Sequence, residues 1–380
     1  RVDPRDPSSA EIIDPRGKRA GAFRKSVRLK QAGQERRTTI VERLTYAPGY
    51  AWGGTADREL RGEIEIALST AQKSLIIVNY VNLEEYVYGV LNSEMPTHWP
   101  MEALKAQAVL ARTQAVYRQR SLRPHRAYGY DLCDEQHCQV YGGVPAETKR
   151  AKSAVDDTRG QILAYNGNPA HTIFFSNCGG HTQSGKEVGW ADVAYWQGVF
   201  DGKDSARAPD SPWKLKEWLK TEPAVYCNAT KFIWSPEFRW TRVISADELE
   251  SRVFRIKNIG RIRALVPLRR SRSGHLNAIR IQGTSGELVI DREHEIRRVL
   301  ALGSLRSTLF VIETSYRNGR AQSFTLYGGG WGHGVGMCQA GAGGRAEQGA
   351  LHQGILSHYY PGTKLATAGP VEPGKEGKRQ

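Results

Sequence analysis

The hydrophobic and polar positions of this chain change their period several times, and each change predicts a different element. Alternating segments between residues 39 and 80, such as TIVERLTY and KSLIIVNYV, predict strands. Apolar positions at helical spacing then predict a short helix from Leu83 to Leu91 and a second helix that begins at Pro100. Strand patterns return between residues 230 and 320. The fold class we expect is α+β: a mixed domain with a β-rich subdomain inserted or packed alongside.

The same pattern predicts how the chain divides. Residues 1–38 are rich in Arg, Lys, Asp and Pro and poor in apolar residues, which predicts a flexible basic arm. The other parts that we expect are a β-rich lead-in (39–80), a main domain (81–229 and 321–364), the β-rich subdomain (230–320) and a disordered tail (365–380).

The net charge and the hydropathy of the chain limit the classes of partner that we expect. The 380 residues carry a net charge of +15, which implies an anionic partner such as nucleic acid, anionic lipid or an anionic cell-wall polymer. We find no recognised nucleic-acid module and expect no nucleic acid partner. No apolar run approaches the roughly 20 residues of a membrane span, so we expect no transmembrane segment in this chain. Because the chain begins at Arg1 rather than Met, we expect that a targeting segment has been removed.

Glu94 stands out because it lies between the two predicted helices. Proline forces the residue before it out of the helical conformation, so Met95-Pro96 ends the first helix and leaves Glu94 at a corner near Trp99. Apolar neighbours raise the pKa of a carboxyl group and keep it protonated, as a general acid requires. A capping or surface glutamate is the alternative that the residue alone leaves open.

The cysteines suggest a metal rather than a disulfide framework. Their number is five, which is odd, and Cys133 and Cys138 lie close together with His137 between them. Thiolate and imidazole are the ligands that zinc prefers, so these three residues predict a Zn²⁺ site with His125 or a water as a further ligand. A turn with a buried thiol and an exposed histidine remains open.

The segment YGGGWGHGVGMCQAGAGG contains the densest run of glycines in the chain. Glycine permits backbone conformations that other residues rarely adopt, and His333 in the middle of such a run is not typical of core packing. The Lys-Ser/Thr pair of a phosphate-binding P-loop is missing. After the run we predict one helix from Arg345 to Tyr359, ended by Pro361-Gly362.

Taken together, these segments resemble the SpoIID/LytB family, the stage II sporulation protein D class of peptidoglycan-acting proteins. The matching segments keep the same order and are LEEYVYGVLNSEMPTHWPMEALKAQAVLARTQA at 83–115, TRGQILAYNG at 158–167, FFSNCGGHT at 174–182, and GGGWGHGVGMCQAGA through HYYPGT at 328–363. The resemblance covers roughly residues 81–364 and excludes the N-terminal arm.

This resemblance implies a lytic transglycosylase that cleaves peptidoglycan glycan strands at the muramyl-glucosaminyl bond with a 1,6-anhydro product. Glu94 matches the proposed catalytic acid of the family. Lys105 and Arg112 match positions associated with substrate handling, and at a spacing of seven they share one helical face. Tyr195 and His333 complete the expected substrate-binding residues. We expect Glu94 and these residues to converge on one cleft.

The resemblance also bears on the metal and on location. Cys133, His137 and Cys138 are similar to a zinc site known in some members of the family. Proteins of this class imply a secreted, periplasmic or cell-envelope location, peptidoglycan glycan strands as partner, and a cell-wall amidase as a second partner.

Three functions compete. An ordinary glycosidase needs two carboxylates at a defined separation, whereas only Glu94 has a suitable setting, which favours the lytic mechanism. The main rival is a non-catalytic wall-binding protein, because LytB-like members are described as amidase enhancers. A zinc-dependent hydrolase should show His-x-x-x-His or three clear ligands with a carboxylate base, and neither pattern is present.

Overall fold

The computed structural model describes residues 6, 8–30, 38–46, 53–69, 74–203, 211–228, 231–233, 235–301 and 305–369. Helices and strands are interspersed along these residues, which confirms the predicted α+β class. The chain forms two compact units: Arg1–His98, Ala111–Gln161 and Ala368–Gln380 in the first, and Trp99–Leu110 and Ile162–Thr367 in the second. Among the described residues, no helix has both the length and the apolar character needed to cross a bilayer.

The first unit begins with antiparallel strands and continues with helices. The strands are β1 (Ser9–Ile13), β2 (Arg19–Arg24), β3 (Ser26–Leu29), β4 (Thr39–Tyr46), β5 (Gly54–Leu60), β6 (Glu63–Ser69) and β7 (Ser74–Tyr80). Strand β1 pairs with β2, β4 pairs with β5, and β6 lies between β3 and β7. The helices that follow are α1 (Leu83–Glu94), α2 (Met101–Tyr117), whose first residues belong to the second unit, and α3 (Lys149–Asp157).

The strands β1 to β3 correct the prediction of a flexible arm over residues 1–38. Composition predicted little structure there, but pairing of antiparallel strands depends on backbone hydrogen bonds and one apolar face rather than on average polarity. Ala10 of β1 is buried, and Gly17 takes a φ of +80° in the turn before β2. Charged side chains remain on the outside, where Arg28 pairs with Glu63. Residues 1–5, 7 and 31–37 of the predicted arm lie outside the described residues.

The two helices around Glu94 begin and end close to where the sequence predicts. The Asn82 side chain caps α1 by accepting the Glu84 N–H. Helix α1 ends at Glu94, and Met95 is extended with a φ of −139°, as expected for the residue before a proline. At the start of α2, the Pro100 carbonyl accepts the N–H of Ala103 at 3.0 Å.

The second unit carries most of the remaining elements. The strands of this unit are β8 (Gln161–Tyr165), β9 (Asn168–Pro169), β10 (Phe174–Phe175), β11 (Arg239–Ser245), β12 (Ile262–Arg270), β13 (Leu276–Gly283), β14 (Glu287–Ile290), β15 (Phe310–Arg317), β16 (Arg320–Gly329), β17 (Met337–Cys338) and β18 (Lys364–Thr367). The first residue of β8, Gln161, belongs to the first unit. The helices of the second unit are α4 (Gly185–Val188), α5 (Pro212–Lys220), α6 (Ala246–Phe254), α7 (Glu293–Leu300), α8 (Gln339–Glu347) and α9 (His352–Tyr359).

Several small sheets organise this unit. The three-stranded sheets have the orders β11-β16-β15, β12-β13-β14 and β18-β8-β9, and β10 pairs in parallel with β17. One core of buried apolar side chains extends from Ile244 to Leu326, with Phe310 and Phe324 fully inside it. This core lies largely within the segment expected to form a β-rich subdomain. The domain boundaries drawn from the sequence stay a prediction.

Two predictions near the C-terminus are corrected. The helix expected from Arg345 to Tyr359 is instead α8 and α9, separated around Gly349, whose φ of +89° cannot continue a right-handed helix. The expected tail begins later, because Lys364–Thr367 forms β18 beside β8. Residues 370–380 lie outside the described residues.

Candidate active site and metal cluster

Glu94 is the last residue of α1, and its carboxylate is held by a loop of the same unit. The backbone N–H of Val140 donates a hydrogen bond to Glu94 Oε1 at 2.6 Å. The loop approaches α1 closely because Gly89 leaves room for it. A Cβ at Gly89 would lie 2.6 Å from Tyr141 Cε2, and the Gly142 N–H donates to the Gly89 carbonyl at 2.9 Å. Close backbone packing therefore fixes the Val140 donor.

The environment of Glu94 favours its protonated form. Burial raises the pKa of this carboxyl group, and the hydrogen bond from Val140 opposes the rise without cancelling it. The C-terminal end of a helix carries a partial negative charge, which also disfavours a carboxylate there. The side chain remains only half-buried, so it can still meet a ligand. This setting is that of a general acid.

Four side chains near this loop form what we call the Cys-His cluster: His125, Cys133, His137 and Cys138. One ligand atom from each lies within 4.8 Å of the others. His125 Nε2 is 3.3 Å from Cys138 Sγ, and His137 Nδ1 is 3.7 Å from the same sulfur. The donor set of two sulfurs and two imidazole nitrogens fits tetrahedral zinc. His125, which the sequence offered only as one option for a further ligand, is the fourth member of this cluster.

The thiols of this cluster are suited to metal binding. A hydrogen bond with Cys138 lowers the pKa of Cys133 to about 4, and the same interaction raises the pKa of Cys138. The lowered pKa favours the thiolate form of Cys133, which is the form that binds metals. The Arg118 guanidinium also donates to Cys138 Sγ at 3.5 Å.

The cluster and Glu94 are joined through one short segment, Cys138 to Val140. The Cys138 carbonyl accepts from Gln114 Nε2 at 2.9 Å, and Gln139 Nε2 donates to the Ala111 carbonyl at 3.1 Å. The next residue, Val140, donates to Glu94. The loop that carries Cys138 of the cluster thus also supplies the hydrogen bond to the candidate acid.

Arg112 is not where the sequence analysis expected it. Its side chain is fully buried, and its Nε and Nη2 bind both oxygens of Glu84 at 2.6–3.1 Å. Nη1 donates to the Gln161 carbonyl at 2.9 Å. The shared helical face with Lys105 predicted contact with substrate, but other elements cover this end of the face. In this structure Arg112 connects α1, α2 and the start of β8, and we no longer assign it to substrate binding.

Lys105 and Tyr195 lie in the second unit, in contacts of their own. Lys105 Nζ is 3.0 Å from Glu102, whose carboxylate also accepts hydrogen bonds from the backbone and ring of His352 at 2.8 Å. Tyr195 is buried, and its hydroxyl accepts the His171 N–H at 2.7 Å. These contacts make Tyr195 a packing residue, because its hydroxyl and most of its surface are already used. A role for Lys105 in substrate binding stays a prediction.

His333 is held as a neutral imidazole in the glycine-rich loop. Its Nδ1 accepts the Val335 N–H at 3.2 Å, so Nε2 carries the proton and donates to the Phe174 carbonyl at 3.1 Å. Burial lowers the pKa of His333 to about 4. The ring of Trp190, which is 41% exposed, lies 5.2 Å from the His333 ring, and Trp331 of the same loop is 38% exposed. The sequence analysis missed these tryptophans, which offer accessible aromatic faces.

The predicted residues therefore fall into two sets. Glu94 and the Cys-His cluster come together in the first unit, whereas Lys105, Tyr195 and His333 belong to the second. Convergence of all of them on one cleft stays a prediction.

Comparison with known proteins agrees with the segments around Glu94. The family model described as Stage II sporulation protein matches residues 71–165, and a domain of unknown function matches residues 195–336. The Stage II sporulation protein D of Bacillus amyloliquefaciens is 30% identical, and the match covers 84% of this chain and 86% of that protein. This chain belongs to the stage II sporulation protein D family.

Two further relatives show the breadth of the SpoIID family. The Stage II sporulation protein D of Bacillus subtilis is 32% identical over 77% of this chain and 76% of its own length. The amidase enhancer of Bacillus subtilis is 26% identical over 73% of this chain, but the match spans only 40% of that longer protein. The predicted membership of the SpoIID/LytB family is thereby confirmed.

Proposed function

We propose that this SpoIID-family chain is a lytic transglycosylase of the cell wall that cleaves peptidoglycan glycan strands. The observation that carries the proposal is the half-buried Glu94, whose pKa is raised by burial and whose carboxylate is fixed by the Val140 N–H. A carboxyl group whose pKa is raised and that is held in one orientation is suited to donate a proton to a glycosidic oxygen.

A single carboxyl group can complete this reaction. Protonated Glu94 donates its proton to the oxygen of the bond between muramyl C1 and the next sugar, and that C–O bond breaks. The carboxylate then removes the proton from the muramyl C6 hydroxyl, whose oxygen bonds to C1. The product is a 1,6-anhydro ring, no water is consumed, and Glu94 is again protonated. The attacking hydroxyl belongs to the substrate itself, which replaces a second carboxylate and its activated water.

The Cys-His cluster would hold Zn²⁺ through Cys133, Cys138, His125 and His137. Bound zinc would supply a structural cross-link there, since the four side chains fill a tetrahedral site. The residues of the chain do the rest: the segment from Cys138 to Val140 carries the hydrogen-bond donor that orients Glu94. Ordering of this loop therefore maintains the position of the acid.

In the second unit we propose a glycan-binding surface around His333 and Trp190. The indole of Trp190 is 41% exposed and lies against the His333 ring, so it presents an aromatic face of the kind that packs against sugar rings. The net charge of +15 favours an anionic wall polymer as partner. We therefore propose that the protein acts outside the cytoplasm, at the cell envelope.

A second candidate function is that of a non-catalytic partner of a cell-wall amidase. The observation in its favour is the 26% identity to a protein named amidase enhancer. Such a partner would need the wall-binding surface but not the protonated carboxyl group at Glu94. The two functions are therefore separated by measuring cleavage and binding on the same variants.

The experiment compares Glu94→Gln with Glu85→Gln, a control on the same helix. Glu94→Gln should lower the rate of glycan-strand cleavage by about 10²–10⁴-fold, because it removes the general acid. Both variants should still sediment with purified peptidoglycan. Glu85→Gln should also cleave glycan strands at the wild-type rate. Trp190→Ala should weaken that sedimentation, whereas Trp213→Ala, at a tryptophan that is 66% exposed on α5, should not. Wild-type protein that binds peptidoglycan, stimulates an amidase and never cleaves glycan would favour the partner function.

A further inference from the structure

A second group of metal-ligating side chains lies in the second unit and shares no residue with the Cys-His cluster. We call it the buried cysteine cluster: Cys178, Asp201, Cys227 and Cys338. Each of these residues is 0% exposed, and one ligand atom from each lies within 4.8 Å of the others. We propose that these four side chains form a closed site for one thiophilic divalent metal ion, of which Zn²⁺ is the type.

The distances match a single metal ion. Zinc–sulfur bonds of about 2.3 Å at tetrahedral angles put neighbouring ligand atoms about 3.8 Å apart. Cys178 Sγ lies 3.5 Å from Cys227 Sγ and 3.6 Å from Asp201 Oδ2. Three sulfurs and one carboxylate oxygen at this spacing surround one ion, and the thiolates favour zinc over Mg²⁺ or Ca²⁺.

The fold assembles the cluster from distant parts of the chain. Parallel pairing of β10 with β17 places Phe175 opposite Cys338, and Cys178 follows β10 by three residues. The Tyr226 N–H donates to the Asp201 carbonyl at 2.8 Å, which brings Cys227 to the same place. The four residues therefore come together through the fold and not because they are neighbours in one loop.

The surroundings of Cys338 are those of a metal-bound thiolate. The backbone N–H groups of Cys178 and Gly341 both donate to Cys338 Sγ at 3.2 Å. Cys338 is also the N-cap of α8, where the positive end of the helix favours a negative charge. Such N–H donors orient the ligands of metal sites and balance their charge.

Asp201 is prepared to bind with one oxygen. Its Oδ1 accepts from the Tyr359 hydroxyl at 2.7 Å and from Arg345 Nε at 3.2 Å, which leaves Oδ2 on the side of the thiols. Gly341 permits this arrangement, because a Cβ there would lie 2.1 Å from the Tyr359 oxygen and 2.3 Å from Asp201 Oδ2. Arg345 supplies positive charge that the cluster would otherwise lack.

Four protein ligands with no exposure define a structural rather than a catalytic site. The ion would join the turn at Cys178 to the N-terminus of α8. Asn177, next to Cys178, exchanges backbone hydrogen bonds with Trp331 at 2.7 and 3.0 Å. The site would therefore also hold the glycine-rich loop that carries His333.

The test uses the full chain with Cys133→Ser and Cys138→Ser, so that the Cys-His cluster no longer contributes. After exposure to Zn²⁺ and removal of excess metal, elemental analysis should find about one zinc per chain, against about two in the unaltered chain. Adding Cys227→Ser should reduce the zinc to under about a tenth of an equivalent. Asp201→Asn, which keeps the shape and the three sulfurs, should retain zinc at least about tenfold more weakly.

Two measurements on the double variant need no further substitution, so they remain valid if Cys227→Ser does not fold. Co²⁺ in place of Zn²⁺ should give intense thiolate-to-cobalt absorption, typical of a tetrahedral site with three sulfurs. The intact mass after denaturation without reductant should show three free thiols. Less than about a tenth of an equivalent of zinc without that absorption would overturn the proposal, as would a mass lower by two hydrogens, which indicates a disulfide. Neither result would bear on Glu94.

Discussion

Two of the three acidic residues of helix α1, Glu84 and Glu94, have opposite surroundings. Glu84, in the first turn, is buried and pairs through both oxygens with the fully buried Arg112, and it also accepts the Gly160 N–H at 3.0 Å. Glu94, at the last residue, accepts a backbone N–H from Val140, and burial raises its pKa. One helix therefore presents a carboxylate stabilised by a cation and another carboxyl group that favours its proton.

The difference between these two side chains distinguishes a residue that supports the fold from one that is suited to proton transfer. A buried carboxylate that is paired with arginine and one backbone N–H has its charge balanced and is held in place. A carboxyl group at the negative end of a helix with a raised pKa costs the fold free energy when it ionises. Groups with perturbed pKa values are concentrated at functional sites, which is why our proposal gives catalysis to Glu94 and support of the fold to Glu84 and Arg112.

The largest effect on stability should come from breaking the Glu84–Arg112 pair. Arg112→Ala leaves Glu84 buried without its cation, which should lower the free energy of unfolding by about 3–5 kcal/mol. Urea denaturation of the purified protein measures this change. Lys149→Ala, at an exposed position on α3, should alter it by less than about 0.5 kcal/mol.

The comparison between Glu84 and Glu94 would fail if Arg112→Ala kept the free energy of unfolding of the wild type but lost its binding to peptidoglycan. Arg112 would then contact substrate, as its position in the helix first suggested, and the buried pair with Glu84 would not describe the working protein.

A smaller effect should appear in the pH dependence of stability. Because the pKa of Glu94 is higher in the folded chain than in the unfolded chain, the folded state binds the proton more tightly between the two values. The stability of the wild type should therefore fall as the pH rises through this window, and Glu94→Gln should not show that loss. The stability of Glu94→Gln relative to the wild type should rise with pH and become constant above the pKa of Glu94 in the folded chain. A difference in stability that stays constant with pH, or that shifts towards the wild type as the pH rises, would contradict the raised pKa of Glu94. Glu85→Gln serves as the matched control.

The sequence predicted these features to the extent that they depend on neighbouring residues. The end of α1 follows from Met95-Pro96, and three members of the Cys-His cluster follow from their close spacing, whereas His125 was only one option beside a water. The place of Arg112 could not be predicted in this way, because helical periodicity shows which residues share a face but not which element covers that face. Cys338 lies 160 residues after Cys178 and accepts its N–H, so the buried cysteine cluster depends on the pairing of β10 with β17.

The same limit applies to the polar N-terminal strands. Their composition resembles that of a flexible arm, and only their pairing across the turn at Gly17 distinguishes them from one. Average polarity reports how much surface a segment can bury, whereas strand pairing depends on alternation over a few residues.

The central claim is that Glu94 alone carries out cleavage without water, and the ends of the product strands test it most directly. Purified glycan strands are digested with the wild type in water enriched in ¹⁸O, and the fragments are analysed by mass spectrometry. We expect fragments that end in 1,6-anhydro-muramic acid, each lighter by one water than a reducing end and free of ¹⁸O, and no such fragments with Glu94→Gln. Fragments with hydrated, ¹⁸O-labelled reducing ends, or anhydro ends produced equally well by Glu94→Gln, would contradict the claim.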